Sequence, residues 1–167
     1  MVESATQRAA ADRLLAKRYA WRGYANMGET FPGLTKGALR YFTLLASRDD
    51  CAVGTLTLGV DSPAGLVVDE ASRDIADGLR RIGRRVVELR RLALEDEVDP
   101  KAVLANLFQT AYKIGRLSHR ATDVLIEVNP RHAAYYQVFS GLPRRDGNGS
   151  VPVWMPGDVD ALRSNQS

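Results

Sequence analysis

The chain has 167 residues, 45% of them hydrophobic, with a net charge of +3 and one cysteine, Cys51. That length suits a single domain that buries its own core, and a lone cysteine rules out an intramolecular disulfide and fits a reducing, cytoplasmic compartment. No apolar run reaches the roughly 18 residues of a membrane span, and the polar start Met1-Val2-Glu3-Ser4 lacks a signal-peptide core.

In chain order, residues 5–20 are alanine-rich and place Leu14, Leu15 and Tyr19 at helical spacing, which predicts a helix. Trp21 to Gly37, broken by Gly23, Gly28, Pro32 and Gly33, reads as a long irregular segment of the kind that serves as a lid or stays disordered. Leu39–Ala46 and Ala52–Val60 are two strands joined by the polar turn Ser47-Arg48-Asp49-Asp50, an antiparallel hairpin. Cys51 stands where that turn enters the second strand, a place that suits a small half-buried residue better than a nucleophile.

After the turn Asp61–Gly65, a helix is expected from about Asp69 to Ile82, with Asp69 as its cap and Ser72, Ile75, Leu79 and Ile82 on one stripe. Arg84–Glu95 has the β-branched and leucine content of an interior strand, yet carries Glu88, Arg90 and Arg91 in its middle, where charge needs a job or a partner. Asp99-Pro100 then starts a helix of about twenty residues, whose Val103, Leu104, Leu107, Phe108, Ala111 and Ile114 recur at three and four. The apolar run Asp123–Val128 follows as a second strand. Strand, helix and strand in this order make a right-handed crossover with two parallel strands, and ligands of such units bind near the strands' carboxyl ends. Asn129-Pro130 opens a short helix to about Phe139. From Gly141 the chain is turn-rich, with Val151–Trp154 as a last edge strand. The expected fold class is therefore α/β (α+β), one domain over residues 1–167 with its core at about 5–142: a mixed sheet with an antiparallel amino-terminal hairpin, a central parallel βαβ unit and helices on both faces.

Between Gly78 and Arg91 lie six arginines against one acid, Glu88. They are either a solvated helix end with snorkelling strand arginines or a surface for an anionic partner. Nucleic acid does not fit, because no aromatic-rich basic surface or reading motif accompanies the cluster. With two histidines and one cysteine in the chain, a zinc site has little support.

The element order resembles that of the GCN5-related N-acetyltransferase fold. Val53-Gly54-Thr55-Leu56-Thr57-Leu58, Asp61-Ser62 with Gly65-Leu66, Leu79-Arg80 with Gly83-Arg84, Glu88-Leu89-Arg90-Arg91-Leu92-Ala93-Leu94, and Val128-Asn129-Pro130-Arg131-His132 with Tyr135-Tyr136 together resemble the N-acyl amino acid synthases, relatives of the acyl-homoserine-lactone synthases, over about residues 13–142. The resemblance implies an enzyme that moves a fatty acyl chain from the phosphopantetheine arm of acyl carrier protein to the amino group of an amino acid or similar small amine, with no tightly bound cofactor. Relatives that use acetyl-CoA carry a glycine-rich pyrophosphate loop after the central strand. Here Glu95-Asp96-Glu97-Val98-Asp99-Pro100 has no glycine and four acids, so CoA is the disfavoured donor.

Such chemistry needs a base for the attacking ammonium, donors for the oxyanion and an acid for the thiolate. The Glu-x-x-Arg pattern that the acyl-homoserine-lactone synthases share implies Glu88 as base and Arg91 in the same site; the plain alternative for Glu88 is an ion pair with an arginine inside the sheet. In a regular strand Glu88 and Arg91 face opposite sides, so sharing a site requires an extra residue, and the family's central strand has such a bulge, which also frees a backbone N–H for the oxyanion. Tyr135 or Tyr136 is the candidate acid or an aromatic packing residue, and Asn129 and His132 bind substrate or serve as helix cap and first-turn side chain. His119, at a helix end, reads as a surface residue favoured by the helix dipole. Arg80, Arg81, Arg84 and Arg85 are expected to form the docking face for the acidic carrier protein. Thr57 stands where the acyl-homoserine-lactone synthases have an arginine, and Gly28-Glu29-Thr30-Phe31-Pro32-Gly33 replaces their acidic motif, which argues against a homoserine-lactone product.

Overall fold

The computed structural model describes residues 1–20, 40–128 and 151–156. In these stretches the elements are α1 (Ala5–Tyr19), β1 (Arg40–Arg48), β2 (Cys51–Val60), α2 (Asp69–Arg81), β3 (Val86–Leu94), α3 (Pro100–Tyr112), which runs on as a π-helical segment Lys113–Ser118, β4 (Asp123–Val128) and β5 (Val151–Pro156). The five strands form one sheet in sequence order. All neighbours are antiparallel except β3 and β4, the parallel pair that α3 links by crossover.

Local chemistry sets the element ends. Ser4 and Gln7 form a reciprocal capping box: Ser4 Oγ accepts from Gln7 N at 3.1 Å while Gln7 Oε1 accepts from Ser4 N at 3.2 Å. Asp99 accepts from Lys101 N at 3.0 Å, and Pro100 occupies the first turn of α3, where a missing N–H costs nothing. The hairpin is tighter than the sequence suggests. Arg48 pairs with Cys51, and the two intervening aspartates, both at positive φ, make the mirror-image turn that matches strand twist. Cys51 is exposed rather than half-buried.

Strand alternation sorts the side chains into two layers. Val87, Leu89, Leu56, Leu58, Leu44 and Ile126 face α3, where Leu107 and Ala111 complete the main core. Val86 and Leu125 face α2 and pack with Leu66, Val68 and Ala76. Ala93 meets Leu14 and Leu15 of α1. Each such fully buried leucine contributes about 1.5–3 kcal/mol of hydrophobic free energy. Helices therefore cover both faces, as expected.

Two arginines join the elements. Arg80 donates twice to Asp61, at 2.8 Å each, and also to Asp69 at 2.9 Å and Asp77 at 2.8 Å, so it ties the end of α2 back to the turn that precedes it. Asp69 is thus the anchor of Arg80 and of Leu66 N rather than the helix cap, which is Val68. Arg84 makes a two-point bond to Asp123, at 2.6 and 3.0 Å, and Asp123 is fully buried at the start of β4. Ile82, expected on the buried stripe of α2, is the helix cap and 73% exposed, because the chain turns there through Gly83 at φ 77°.

Removing Arg84 leaves a buried carboxylate without its guanidinium, so Arg84→Ala should cost about 2–3 kcal/mol of stability, the lower end of such changes because Arg84 is partly exposed. Arg85→Ala, one residue on and exposed, should stay within about 0.5 kcal/mol. Denaturant unfolding of the two variants checks the contrast; equal midpoints would remove the Arg84–Asp123 bond from the list of structural supports.

Candidate active site

β3 contains the extra residue that the Glu88–Arg91 spacing calls for. Along β2 the step from Thr57 to Thr55 is two residues, while their partners Arg90 and Ala93 are three apart. Arg91 takes φ 52°, the left-handed geometry of a bulge. The side-chain parity changes across it. Val87 and Leu89 point to the α3 core before the bulge, whereas Leu92 and Leu94 do so after it. Arg91 accordingly lies on the α1 side, near Asp12 and Tyr19, and its burial there pulls its pKa below the ordinary arginine value. Tyr19 OH donates to Leu92 O at 2.9 Å, which pins α1 beside the bulge.

The bulge coincides with a parting of the parallel strands. β3 and β4 are paired from Val86↔Asp123 to Leu89↔Ile126. Past that point Glu127 and Val128 continue with β5, while Arg90, Ala93 and Leu94 continue with β2. Among the described residues, β3 has no ladder partner on its β4 side beyond Leu89. This is a gap at the carboxyl ends of two parallel strands, the place where ligands enter folds of this kind.

Glu88 sits at the paired end of that gap with 1% of its surface exposed. Its Oε1 accepts from Tyr41 OH at 2.5 Å and from Val67 N at 3.2 Å; its Oε2 accepts from Val68 N at 2.8 Å. Val67 and Val68 immediately precede α2, so the carboxylate sits at the positive end of that helix. Arg90 Nη1 lies 4.0 Å from Oε1. Burial raises the Glu88 pKa, against the lowering effects of Tyr41, Arg90 and the two amides. Tyr41 is pushed up in turn by its own burial and by the carboxylate beside it. A carboxylate held in this way is ionisable yet more basic than usual, the property a general base needs near neutral pH.

Gly59 makes the cluster possible. It pairs directly with Glu88 on one side and Tyr41 on the other, and a Cβ there would stand 2.5 Å from Tyr41 Cε1 and 2.8 Å from Glu88 Cγ. Tyr41, Gly59 and the Val67 and Val68 amides were not singled out from the sequence. A glycine inside a strand is the one signal that could have found them, since it marks a close approach. Thr57, on the same face and fully buried, has an Oγ1 without a hydrogen-bond partner among the described residues.

The remaining expected site residues separate into three groups. Arg91 is the left-handed residue of the bulge in the strand that carries Glu88. Tyr135, Tyr136, Asn129 and His132 lie outside the described residues, as do the irregular segment 21–37 and the helix expected to follow Pro130. The four docking arginines are split. Arg80 and Arg84 are engaged by internal carboxylates, whereas Arg81 and Arg85 are exposed where β3 begins, the end away from the gap. Two of the four are thus already bonded within the fold, and two are free of ion pairs among the described residues. The acids of the β3–α3 connection are also less repulsive than their sequence suggests, because Lys17 bonds Glu95 at 2.7 Å and Arg18 bonds Asp96. His119, expected at the surface, is half-buried with its ring 5.5 Å from that of Phe42.

The model of the N-acyl amino acid synthase FeeM family matches residues 10–146. The chain belongs to this family. Its structure is similar to that of FeeM, an N-acyl amino acid synthase from uncultured soil microbes, with a TM-score of 0.74 at 21% identity over 92% of each chain. It is also similar in fold to an acyl-CoA N-acyltransferase from Pseudomonas aeruginosa, with a TM-score of 0.60 at 14% identity over 92% of this chain and 91% of that one. A third similar fold is a GNAT family N-acetyltransferase from Escherichia coli in complex with CoA, with a TM-score of 0.56 at 16% identity over 97% of this chain and 82% of the other. No curated protein matches the sequence. The protein is thus a FeeM-family acyltransferase with a GNAT-type fold.

Two substitutions test the geometry of the Glu88 cluster. Gly59→Ala should destabilise the fold by about 1–3 kcal/mol through overpacking and reduce turnover; a neutral effect on both would mean that Tyr41 and Glu88 need not touch. Tyr41→Phe removes a bond that favours the charged carboxylate, so the Glu88 pKa should rise. If activity needs the ionised form, the acid limb of kcat/KM then moves to higher pH, and an unmoved limb would separate Tyr41 from the titrating group.

Proposed function

We propose that this synthase-family acyltransferase moves a long-chain acyl group from the phosphopantetheine thiol of acyl carrier protein to the amino group of an amino acid or a similar small amine. The donor thioester lies in the gap between β3 and β4. Glu88 takes a proton from the ammonium, the amine nitrogen attacks the thioester carbonyl, the C–N bond forms and the C–S bond breaks. A backbone N–H released by the bulge at Arg91 holds the oxyanion, and Tyr135 or Tyr136 gives a proton to the leaving thiolate and regains one from the nitrogen as the amide forms. Arg91, Asn129 and His132 contact the acceptor.

The observation that carries the choice of donor is the start of α3. In a CoA-dependent fold, the helix after the central strand offers its free amides to the pyrophosphate. Here Pro100 has no N–H to offer and Asp99 already occupies the Lys101 amide, so the first turn presents a carboxylate where a pyrophosphate would sit. A carrier protein delivers its pantetheine without a nucleotide and avoids the conflict. A second donor, acyl-CoA, is favoured by one specific feature: Lys17 and Arg18 offset Glu95 and Asp96, which leaves Glu97 and Asp99 as the acids of this connection without an ion pair among the described residues.

Rates with one acyl chain presented on carrier protein and on CoA at matched concentration test the assignment, with mass spectrometry of the N-acyl product identifying the amine. The expected outcome is a clear advantage for the carrier-protein donor. Equal kcat/KM for both would promote acyl-CoA, and no N-acyl product from any amine would remove the reaction itself.

A further inference from the structure

The end of the sheet away from the gap carries a surface outside the Glu88 cluster. The connectors entering β3 and β4 lie side by side there: Thr122 and Asp123 donate their amides to Arg85 O, and Thr122 Oγ1 accepts from Arg85 N at 2.8 Å. The large hydrophobic side chains exposed among the described residues are Met1, Ile82, Tyr112 and Leu117. Three of the four sit on these two connectors or the helix end that feeds them, with Ile82 at 73% and Leu117 at 70% exposure.

Exposed cations surround them. Arg40, Arg81, Arg85 and Arg120 are exposed and make no ion pair among the described residues. Arg84 offsets Asp123, while Arg80 is shared by Asp61, Asp69 and Asp77, so the four exposed arginines outnumber the two carboxylate charges that Arg80 leaves uncovered. Arg40, Arg85 and His119 also line a cleft of about 320 Å³. The result is a set of protruding apolar side chains within a net positive rim.

We propose that this end binds an anionic lipid surface, with Ile82 and Leu117 entering the headgroup region and the arginines meeting lipid phosphates. Aliphatic side chains exposed at two helix ends, with arginines on the connectors that follow, are the chemistry of a peripheral membrane contact, in which apolar burial and attraction to anionic lipid each add part of the binding. An acidic carrier protein is the competing occupant. Its cargo must enter at the carboxyl ends of β3 and β4, six residues and about 20 Å of strand from Arg85, and a protein docked at this end faces away from that opening. The inference stands on this surface and does not depend on which donor or amine is used.

The test is flotation of the full chain with vesicles of phosphatidylcholine alone or mixed with phosphatidylglycerol, across a salt series. Wild type should bind the anionic vesicles and not the neutral ones, with binding lost as salt rises. Ile82→Ser with Leu117→Ser should lower binding by roughly 10-fold, and Arg81→Glu with Arg85→Glu should abolish it. Melting temperature should be unchanged in both double variants, and the serine pair should retain turnover on soluble substrates. Absence of binding to anionic vesicles at low salt would overturn the proposal, as would full binding by either double variant. Carrier-protein affinity lost in the arginine pair without any vesicle binding would assign the surface to that protein instead.

Discussion

A carboxylate buried in the sheet must be compensated or it will not stay ionised, and most of the distinctive features of this chain satisfy that requirement at Glu88. Tyr41 supplies a hydroxyl from two strands away, Gly59 removes the side chain that would block it, and the Val67 and Val68 amides close over both oxygens. Arg80 then holds α2 in place by gripping the turn before it. Compensation is incomplete, since burial still leaves the Glu88 pKa raised. The folded chain therefore holds this proton more tightly than the unfolded chain, and Glu88 opposes folding increasingly as pH rises through its raised value. A group retained despite that cost is a natural place for proton transfer.

The second constraint is the bulge. One extra residue in β3 turns Arg91 to the α1 side, restores the apolar face with Leu92 and Leu94, and coincides with the end of the β3–β4 ladder. The base, oxyanion donor and entry gap of the proposed mechanism thus all fall within a few residues of one strand. The next connection puts a capping aspartate and a proline at the start of α3, and the proposed carrier-protein donor rests on that feature.

The architecture was legible because apolar periodicity, proline at the start of α3 and the β–α–β order report backbone pattern directly. The bulge was implied by the family resemblance, which puts Glu88 and Arg91 in one site, an arrangement that a regular strand does not allow. Other parts depended on contacts between distant residues. The arginine run read as one docking face because neighbours at i and i+4 share a helix side, yet Arg80 and Arg84 find Asp61 and Asp123, 19 and 39 residues away. Tyr41 was unremarkable as one aromatic in a strand, and only the register through Gly59 brings it to Glu88. The same limit applied to Glu95 and Asp96, whose charges are offset by α1, 78 residues earlier.

The most direct measurement is the turnover of Glu88→Gln against its folded stability. Glutamine keeps the shape and can still accept from the Val67 and Val68 amides, so the variant should remain folded while kcat falls by about 10²-fold or more, the usual effect of removing a general base. A variant that unfolds more easily yet keeps full specific activity in its folded fraction would contradict the account and leave Glu88 as a strut between sheet and helix.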